Sequence, residues 1–261
     1  KDGFKIPENF SRAKIAEKYE VPKNLLQLVE NEQNAFLALK IVEIIGEDEP
    51  YQLDAETIYF ITDLLNRMNL IKLRNVQILL LMSVCIFFYS HGLFNWLPEI
   101  LRMKNMTLSQ AGYWASIPTF VGIIGSLLIP RIATPDRRMY IFFILILSAI
   151  ASTILLLFDW LPILSAGLIL QGISRATLMT IAILILMESP GVKAEHMGAA
   201  GGLFFTFAEI GGVLGPLSMG KILDISGNFN LSLIFMTLVT VLLILFFVYL
   251  NYINKNIIYK N

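Results

Sequence analysis

The chain is short of most groups that do chemistry in water. Only 15% of its 261 residues are charged, against roughly 25% in soluble domains. That shortage excludes an ordinary soluble globular protein. Its one cysteine, Cys85, rules out an intrachain disulfide; it lies in an apolar run and reads as a small core residue. Histidine occurs twice, at His91 and His196. There is no His-Glu-x-x-His, no paired aspartates, no metal-ligand spacing, no phosphate-cradling loop and no nucleophile motif. Enzyme chemistry, a cofactor and a bound metal are therefore not expected. Lys plus Arg number 20 and Asp plus Glu number 20, so the strongly basic balance of a nucleic-acid binder is missing. A charged start followed by a short apolar core, the mark of a signal peptide, is missing too. The first residue is Lys1, and the expectation is a truncated or fused gene product.

What the chain has is apolar length. It is 56% hydrophobic, with a mean hydropathy of +0.68. A spanning helix needs about 20 mostly apolar residues. Six such runs are read at 75–97, 110–130, 139–158, 162–187, 198–220 and 231–250. They are too long, and alternate too little, for barrel strands. Upstream, residues 1–74 hold 10 Lys/Arg and 13 Asp/Glu and no long apolar run. The reading is an all-α polytopic membrane protein. A small soluble helical segment (1–73) precedes six transmembrane helices (74–253) and a short tail (254–261).

In the soluble segment the periodicity predicts a helix at 11–19. A second follows Pro22 and stops at Gly46, and a third is capped by Asp54. Lys/Arg placement orients the spans. One side carries Arg67, Lys72, Arg74, Arg131, Arg137, Arg138, Lys193, Lys255 and Lys260; the other carries Arg102, Lys104 and Lys221. Both termini are thus expected in the cytoplasm, with the spans in the inner or plasma membrane. Trp96 and Trp160 then fall at the outer boundary.

Polarity differs among the spans. The third and sixth carry no charge and look lipid-facing. The first carries His91 and Asn95, the fourth Gln171 and Arg175, and the fifth Glu209. A charge at the bilayer centre costs about 2.5–3.5 kcal/mol on insertion scales, so Arg175 and Glu209 are expected to face protein or water. Spans one, two, four and five would line a cavity, as a three-helix pattern repeated twice.

Each polar residue has two readings. Arg175 is an anchor for an anionic solute, using its planar fork of donors, or half of a buried ion pair with Glu209. Glu209 binds a coupling proton, because burial raises a carboxyl pKa, or is the permanent counter-ion of Arg175. His91 is a gate or a hydrated outer histidine. Gln171 and Asn95 share helix faces with Arg175 and His91 and would complete the solute site. The span-five glycines, from Gly198 to Gly220, read as close packing, with Gly211 and Gly215 at small-x-x-x-small spacing.

Several motifs fall in a familiar order. FNWLPEIL ends the first span, and NMTLSQAGYWASIPTFVGIIGSLLIPRIA forms the second. TPDRR lies between the second and third spans, and GGVLGPLSMGKILDISGNF closes the fifth. Over about residues 75–253 this resembles the C-terminal half of a major facilitator superfamily transporter, with the texture of the cyanate and nitroimidazole permease branch. The resemblance implies two three-helix repeats whose third members face lipid. It implies secondary active transport by alternating access, including proton symport, and a cytoplasmic loop motif at Asp136, Arg137 and Arg138. The loop departs from the family signature in lacking a glycine between its arginines. Six helices make half of such a cavity, so the missing N-terminal half or a second copy is an expected partner, beside the bilayer and a small-molecule solute. The alternative is a membrane-anchored interaction protein whose N-terminal helices bind a partner.

Overall fold

The first long apolar helix begins at Arg74, where apolar residues take over from charged ones. In the computed structural model the described residues are 70–258. The helices expected within 1–73 therefore lie almost wholly outside them. The chain divides into two units, Lys1–Leu70 and Ile71–Asn261. The second holds α1 (Arg74–Arg102), α2 (Leu108–Ile132), α3 (Pro135–Leu155), α4 (Leu161–Met187), α5 (Met197–Ser226) and α6 (Asn230–Ile258). No strand occurs among the described residues. All six helices are long and apolar enough to cross a membrane. The shortest, α3, has 21 residues, about 31 Å at 1.5 Å per residue.

Local chemistry sets the helix ends. Thr107 and Gln110 form a capping box at the start of α2, each side chain accepting from the other's backbone N–H. Proline sits at the first position of α3, where its missing N–H costs nothing. Gly227 ends α5 at φ +71°, a left-handed cap that favours glycine. Helices overrun the expected spans, because apolar counting sees only the bilayer-length part. Thus α1 continues through Pro98 to Arg102, α5 reaches Ser226, and α6 runs on to Ile258, into the expected tail. At α3 the shift goes the other way. It starts at Pro135 and ends at Leu155, where Leu157 and Phe158 turn back onto Ile154 and Leu155.

The packing follows one rule twice. α1 packs chiefly on α5, and α4 on α2; α4 also packs on α3, and α1 on α6; α3 and α6 meet each other. Exchanging the first three helices for the last three leaves this pattern unchanged. Three spans reverse the direction of the chain, so the two repeats are inverted. The expected two three-helix repeats are present.

Glycine makes the crossings close. A Cβ on Gly211 would stand 2.8 Å from the Val84 carbonyl carbon, and one on Gly215 would press on the Phe88 carbonyl. In the other repeat pair, Gly172 lies against Pro118, where a Cβ would meet the carbonyl oxygen at 2.5 Å, and Gly122 faces Gly172. Such contacts supply van der Waals attraction where lipid gives no hydrophobic drive between helices. Gly198, grouped with the packing glycines by sequence, faces open space.

Hydroxyls tie the centre. The Tyr89 hydroxyl on α1 is 2.9 Å from Ser152 Oγ on α3 and 2.8 Å from Ser174 Oγ on α4. Thr237 of α6 donates to Thr153 of α3, and Phe247 stacks on Phe143. Neither α3 nor α6 is central; α1 and α4 are. Burial within the six-helix unit is uneven. The apolar stretch of α2 is only 17% buried, against 39% for α3 and 33% for α5 and α6. On α2 an apolar face that includes Phe120, Ile124 and Leu128 is left uncovered.

Candidate functional site

Arg175 sits near the middle of α4. Its side chain is half-buried and reaches across to α1, where the guanidinium carbon lies 4.6 Å from the centre of the Phe94 ring. A cation over an aromatic face is stabilised by the ring quadrupole, by about 0.5–2 kcal/mol depending on hydration. Arg175 Nε has no hydrogen-bond partner. One turn earlier Gln171 is buried, 1% exposed, and its Oε1 also lacks a partner. A buried amide oxygen left unmatched costs about 1–3 kcal/mol. These two residues therefore present unsatisfied polar atoms on one face of α4.

The expected ion pair between Arg175 and Glu209 is not formed. Among the described residues no ion pair includes either side chain. The reason is packing: α5 lies chiefly along α1 and touches α4 only slightly. Glu209 is exposed and lies beside Gly212, on the side of α5 that meets α1. A Cβ on Gly212 would stand 3.1 Å from Glu209 Oε2, 3.6 Å from Phe87 and 3.7 Å from His91 Cγ. Glycine at 212 thus leaves room for the carboxylate and imidazole to share one niche. The His91 ring stacks on Phe87 at 5.0 Å, with Nδ1 3.3 Å from the Phe87 carbonyl oxygen. Asn95 is exposed and donates to the His91 carbonyl at 2.8 Å, so its amide is turned back onto its own helix.

The groups meet on α1. Phe87, His91 and Phe94, spaced four and three apart, share one face. Arg175 engages that face at Phe94, and Gly212 of α5 lies against it beside Phe87 and His91. The aromatic members were invisible as site residues in the sequence because they read as ordinary apolar positions; their shared spacing with His91 was the available signal. Trp96, expected at the outer boundary, is half-buried between helices. Its indole N–H donates to the Pro216 carbonyl at 2.9 Å, and its ring covers Gly220.

The loop residues lie elsewhere. Asp136 and Arg137 are exposed at the start of α3, where the acid suits the positive helix end. Arg138 is buried, pairs with Glu188 at the end of α4, and donates from Nε to the Ala133 carbonyl. Glu188 had not been singled out by sequence. A cavity of about 370 Å³ opens beside this pair, with Asn251 and Asn254 on its α6 wall. It is 13 residues from Arg175 along α4, roughly 20 Å, and is separate from the α1 face. At the opposite end, Lys104 closes one loop onto another, meeting Asp159 at 2.6 Å and the carbonyls of Leu157 and Phe158. No cluster of metal-ligating side chains occurs among the described residues.

Comparison with known proteins bears on what such a bundle does. A protein of Acinetobacter baumannii, a quinolone resistance transporter, is 28% identical over 179 residues. That alignment covers 67% of this chain and 40% of the relative, so the chain spans about two-fifths of that relative's length. Residues 79–256 match the Major Facilitator Superfamily, from within α1 to the end of α6. With inverted three-helix repeats over that same stretch, the chain is an integral membrane protein of transporter type and belongs to the Major Facilitator Superfamily.

Proposed function

We propose that this segment is one half of a secondary active transporter that carries a small anionic solute by alternating access. The observation behind the reading is Arg175: a mid-helix cation with no carboxylate partner, held over Phe94, beside the unmatched oxygen of Gln171. An unpaired mid-span charge is costly and is kept where it meets something. A carboxylate or phosphate suits the guanidinium fork. Arg175, Gln171 and Asn95 form the solute side of the site. Glu209 of α5 and His91 of α1 take a coupling proton. The missing half, or a second copy, supplies the other wall. Both termini lie in the cytoplasm, and the 134–138 loop, with Arg138 held by Glu188, works at that surface.

The test uses the purified chain in nanodiscs and a panel of small carboxylates and inorganic anions. At least one anion should raise the unfolding temperature. Arg175→Lys should keep the unliganded value and lose the response, since it retains charge without the fork. A wild type indifferent to every anion, or a lysine variant that responds equally, ends the reading.

A second reading is supported by the division of the chain at Leu70–Ile71: a membrane-anchored interaction protein whose first 73 residues bind a partner. Solute uptake into proteoliposomes, with and without residues 1–73, separates the two. Uptake that survives the deletion supports transport.

A further inference from the structure

We infer that the cavity between the ends of α3, α4 and α6 holds the headgroup of an anionic phospholipid, a phosphate diester that carries a glycerol. The inference does not involve Arg175 and stands apart from the solute site.

Depth argues for a lipid. The walls are the ends of three spanning helices and the turn after α4. Arg138 and Met139 lie at the start of α3, and Ile185 and Glu188 at the end of α4. Asn251 and Asn254 close the apolar stretch of α6, which runs from Asn230 to Asn254. Three spans that stop together place the cavity where hydrocarbon gives way to headgroups. Tyrosines mark the same level. Tyr140 on α3 and Tyr249 and Tyr252 on α6 are exposed, and such rings favour the membrane–water boundary. One and two turns deeper, Ile144 and Leu147 on α3 and Leu245 and Val248 on α6 are exposed as well. Acyl chains therefore have apolar helix surface to lie on below the headgroup.

The lining offers both kinds of hydrogen-bonding group. Arg138 is buried; its Nε donates to the Ala133 carbonyl and its guanidinium pairs with Glu188. A guanidinium carries five N–H donors, more than those two contacts use, and its fork suits a phosphate. On the α6 wall, Asn254 Oδ1 is buried with no partner among the described residues. That oxygen can only accept, and so can the half-exposed Glu188 carboxylate. A phosphate diester without hydroxyls would satisfy Arg138 and present only acceptors to the other two. A phosphate bearing a glycerol serves all three: its oxygens accept from Arg138, and its two hydroxyls donate to Asn254 and Glu188. At roughly 30 Å³ per water, the cavity of about 370 Å³ has room for about a dozen waters, enough for that headgroup.

Charge selects between glycerol and ethanolamine, which also brings donors but leaves the headgroup neutral. The three stretches that supply most of the lining are 131–138, 188–196 and 251–261. Together they hold six Lys/Arg against three Asp/Glu. A basic surplus at headgroup depth attracts lipid of net negative charge.

Native mass spectrometry of the full chain, equilibrated in detergent with equimolar pairs of lipids of identical acyl chains, reads the preference directly. Phosphatidylglycerol should be bound about tenfold over phosphatidylcholine. It should also exceed phosphatidylethanolamine and phosphatidylmethanol severalfold; the last has the same charge and no hydroxyl. Asn254→Leu should erase the preference over phosphatidylmethanol and leave a preference over phosphatidylcholine. Arg138→Lys keeps a charge beside Glu188 but loses the fork, and should cut the preference over phosphatidylcholine to about threefold or less. The deacylated headgroup, glycerophosphoglycerol, should compete only weakly.

Equal binding of phosphatidylglycerol and phosphatidylmethanol, or of phosphatidylglycerol and phosphatidylethanolamine, overturns the inference. So does a preference that survives unchanged in Asn254→Leu, since the lipid would then sit elsewhere. Competition by glycerophosphoglycerol as strong as by the intact lipid would assign the cavity to a soluble phosphate ester and overturn the lipid. Circular dichroism and size-exclusion profiles check folding. Should Arg138→Lys fail to fold, Asn254→Leu, at a half-buried position near the end of α6, decides the matter alone.

Discussion

Replacing Gly211 by alanine should loosen the bundle where α5 crosses α1. The new Cβ would lie 2.8 Å from the Val84 carbonyl carbon and 2.9 Å from the Phe88 nitrogen, with the Val84 oxygen closer still. All three are backbone atoms of α1, so no side chain can swing aside. The helices must part by about an ångström or more to bring the oxygen back to ordinary contact. Two effects oppose each other. Alanine is favoured over glycine inside a helix by about 0.8–1.0 kcal/mol. Overpacking typically costs 1–3 kcal/mol, and rigid backbone on both sides puts this site at about 3. The net loss is about 2 kcal/mol, roughly a thirtyfold fall in the folded-to-unfolded ratio. Gly112→Ala in α2 is the control. Nothing lies within 4 Å of its added Cβ, so only the propensity gain of about 0.5–1 kcal/mol remains. Reversible unfolding in mixed micelles with increasing dodecyl sulfate, followed by circular dichroism, measures both. If Gly211→Ala proves as stable as Gly112→Ala, close backbone contact is not what holds α1 to α5.

Two other outcomes follow from the architecture. Cysteines introduced at Thr107 and Gly227 should react with an impermeant maleimide from outside the cell, and one at Pro135 should not; labelling at 135 would invert the proposed orientation. Tyr89→Phe should cost about 0.5–1.5 kcal/mol, because Ser152 and Ser174 keep carbonyl acceptors at Ala149 and Leu170. Tyr89→Ala should cost about 3–5 kcal/mol through the cavity it leaves. Equal losses in the two variants would show that the hydroxyl network, rather than the ring, carries the packing at that point.

The six spans were legible because bilayer thickness fixes their length, and apolar runs of that length have few other uses. The glycines at 211 and 215 were legible as packing because small residues four apart form a groove. What they pack against was not legible. Helix neighbours are set by crossings distant in sequence, and Arg175 with Glu209 illustrates the error. Charge complementarity suggested that they pair, yet α5 is held along α1 by Gly211 and Gly215, and Arg175 lies over Phe94 of α1 instead. The roles of Phe87, Phe94 and Tyr89 were hidden for another reason. An aromatic residue in an apolar run looks the same whether it fills the core or walls a groove. Only Arg175 over Phe94 and Gly212 beside His91 distinguish the cases.

The exchange of partners between repeats has a consequence for how the protein is made. Of the six spans α1 is made first, yet its principal neighbour is α5. More than a hundred residues must be synthesised between the end of α1 and the end of α5. At roughly 5–20 residues per second that takes on the order of ten seconds. During that interval Ser83 has not yet met the Phe204 carbonyl, its partner in the finished fold, and the groove beside Val84 and Phe88 stands open. α4 arrives sooner and can settle at once on α2 and α3, which are already in the bilayer. The six-span unit therefore assembles from its middle outwards, and α1, made before the other five, waits longest for its principal neighbour.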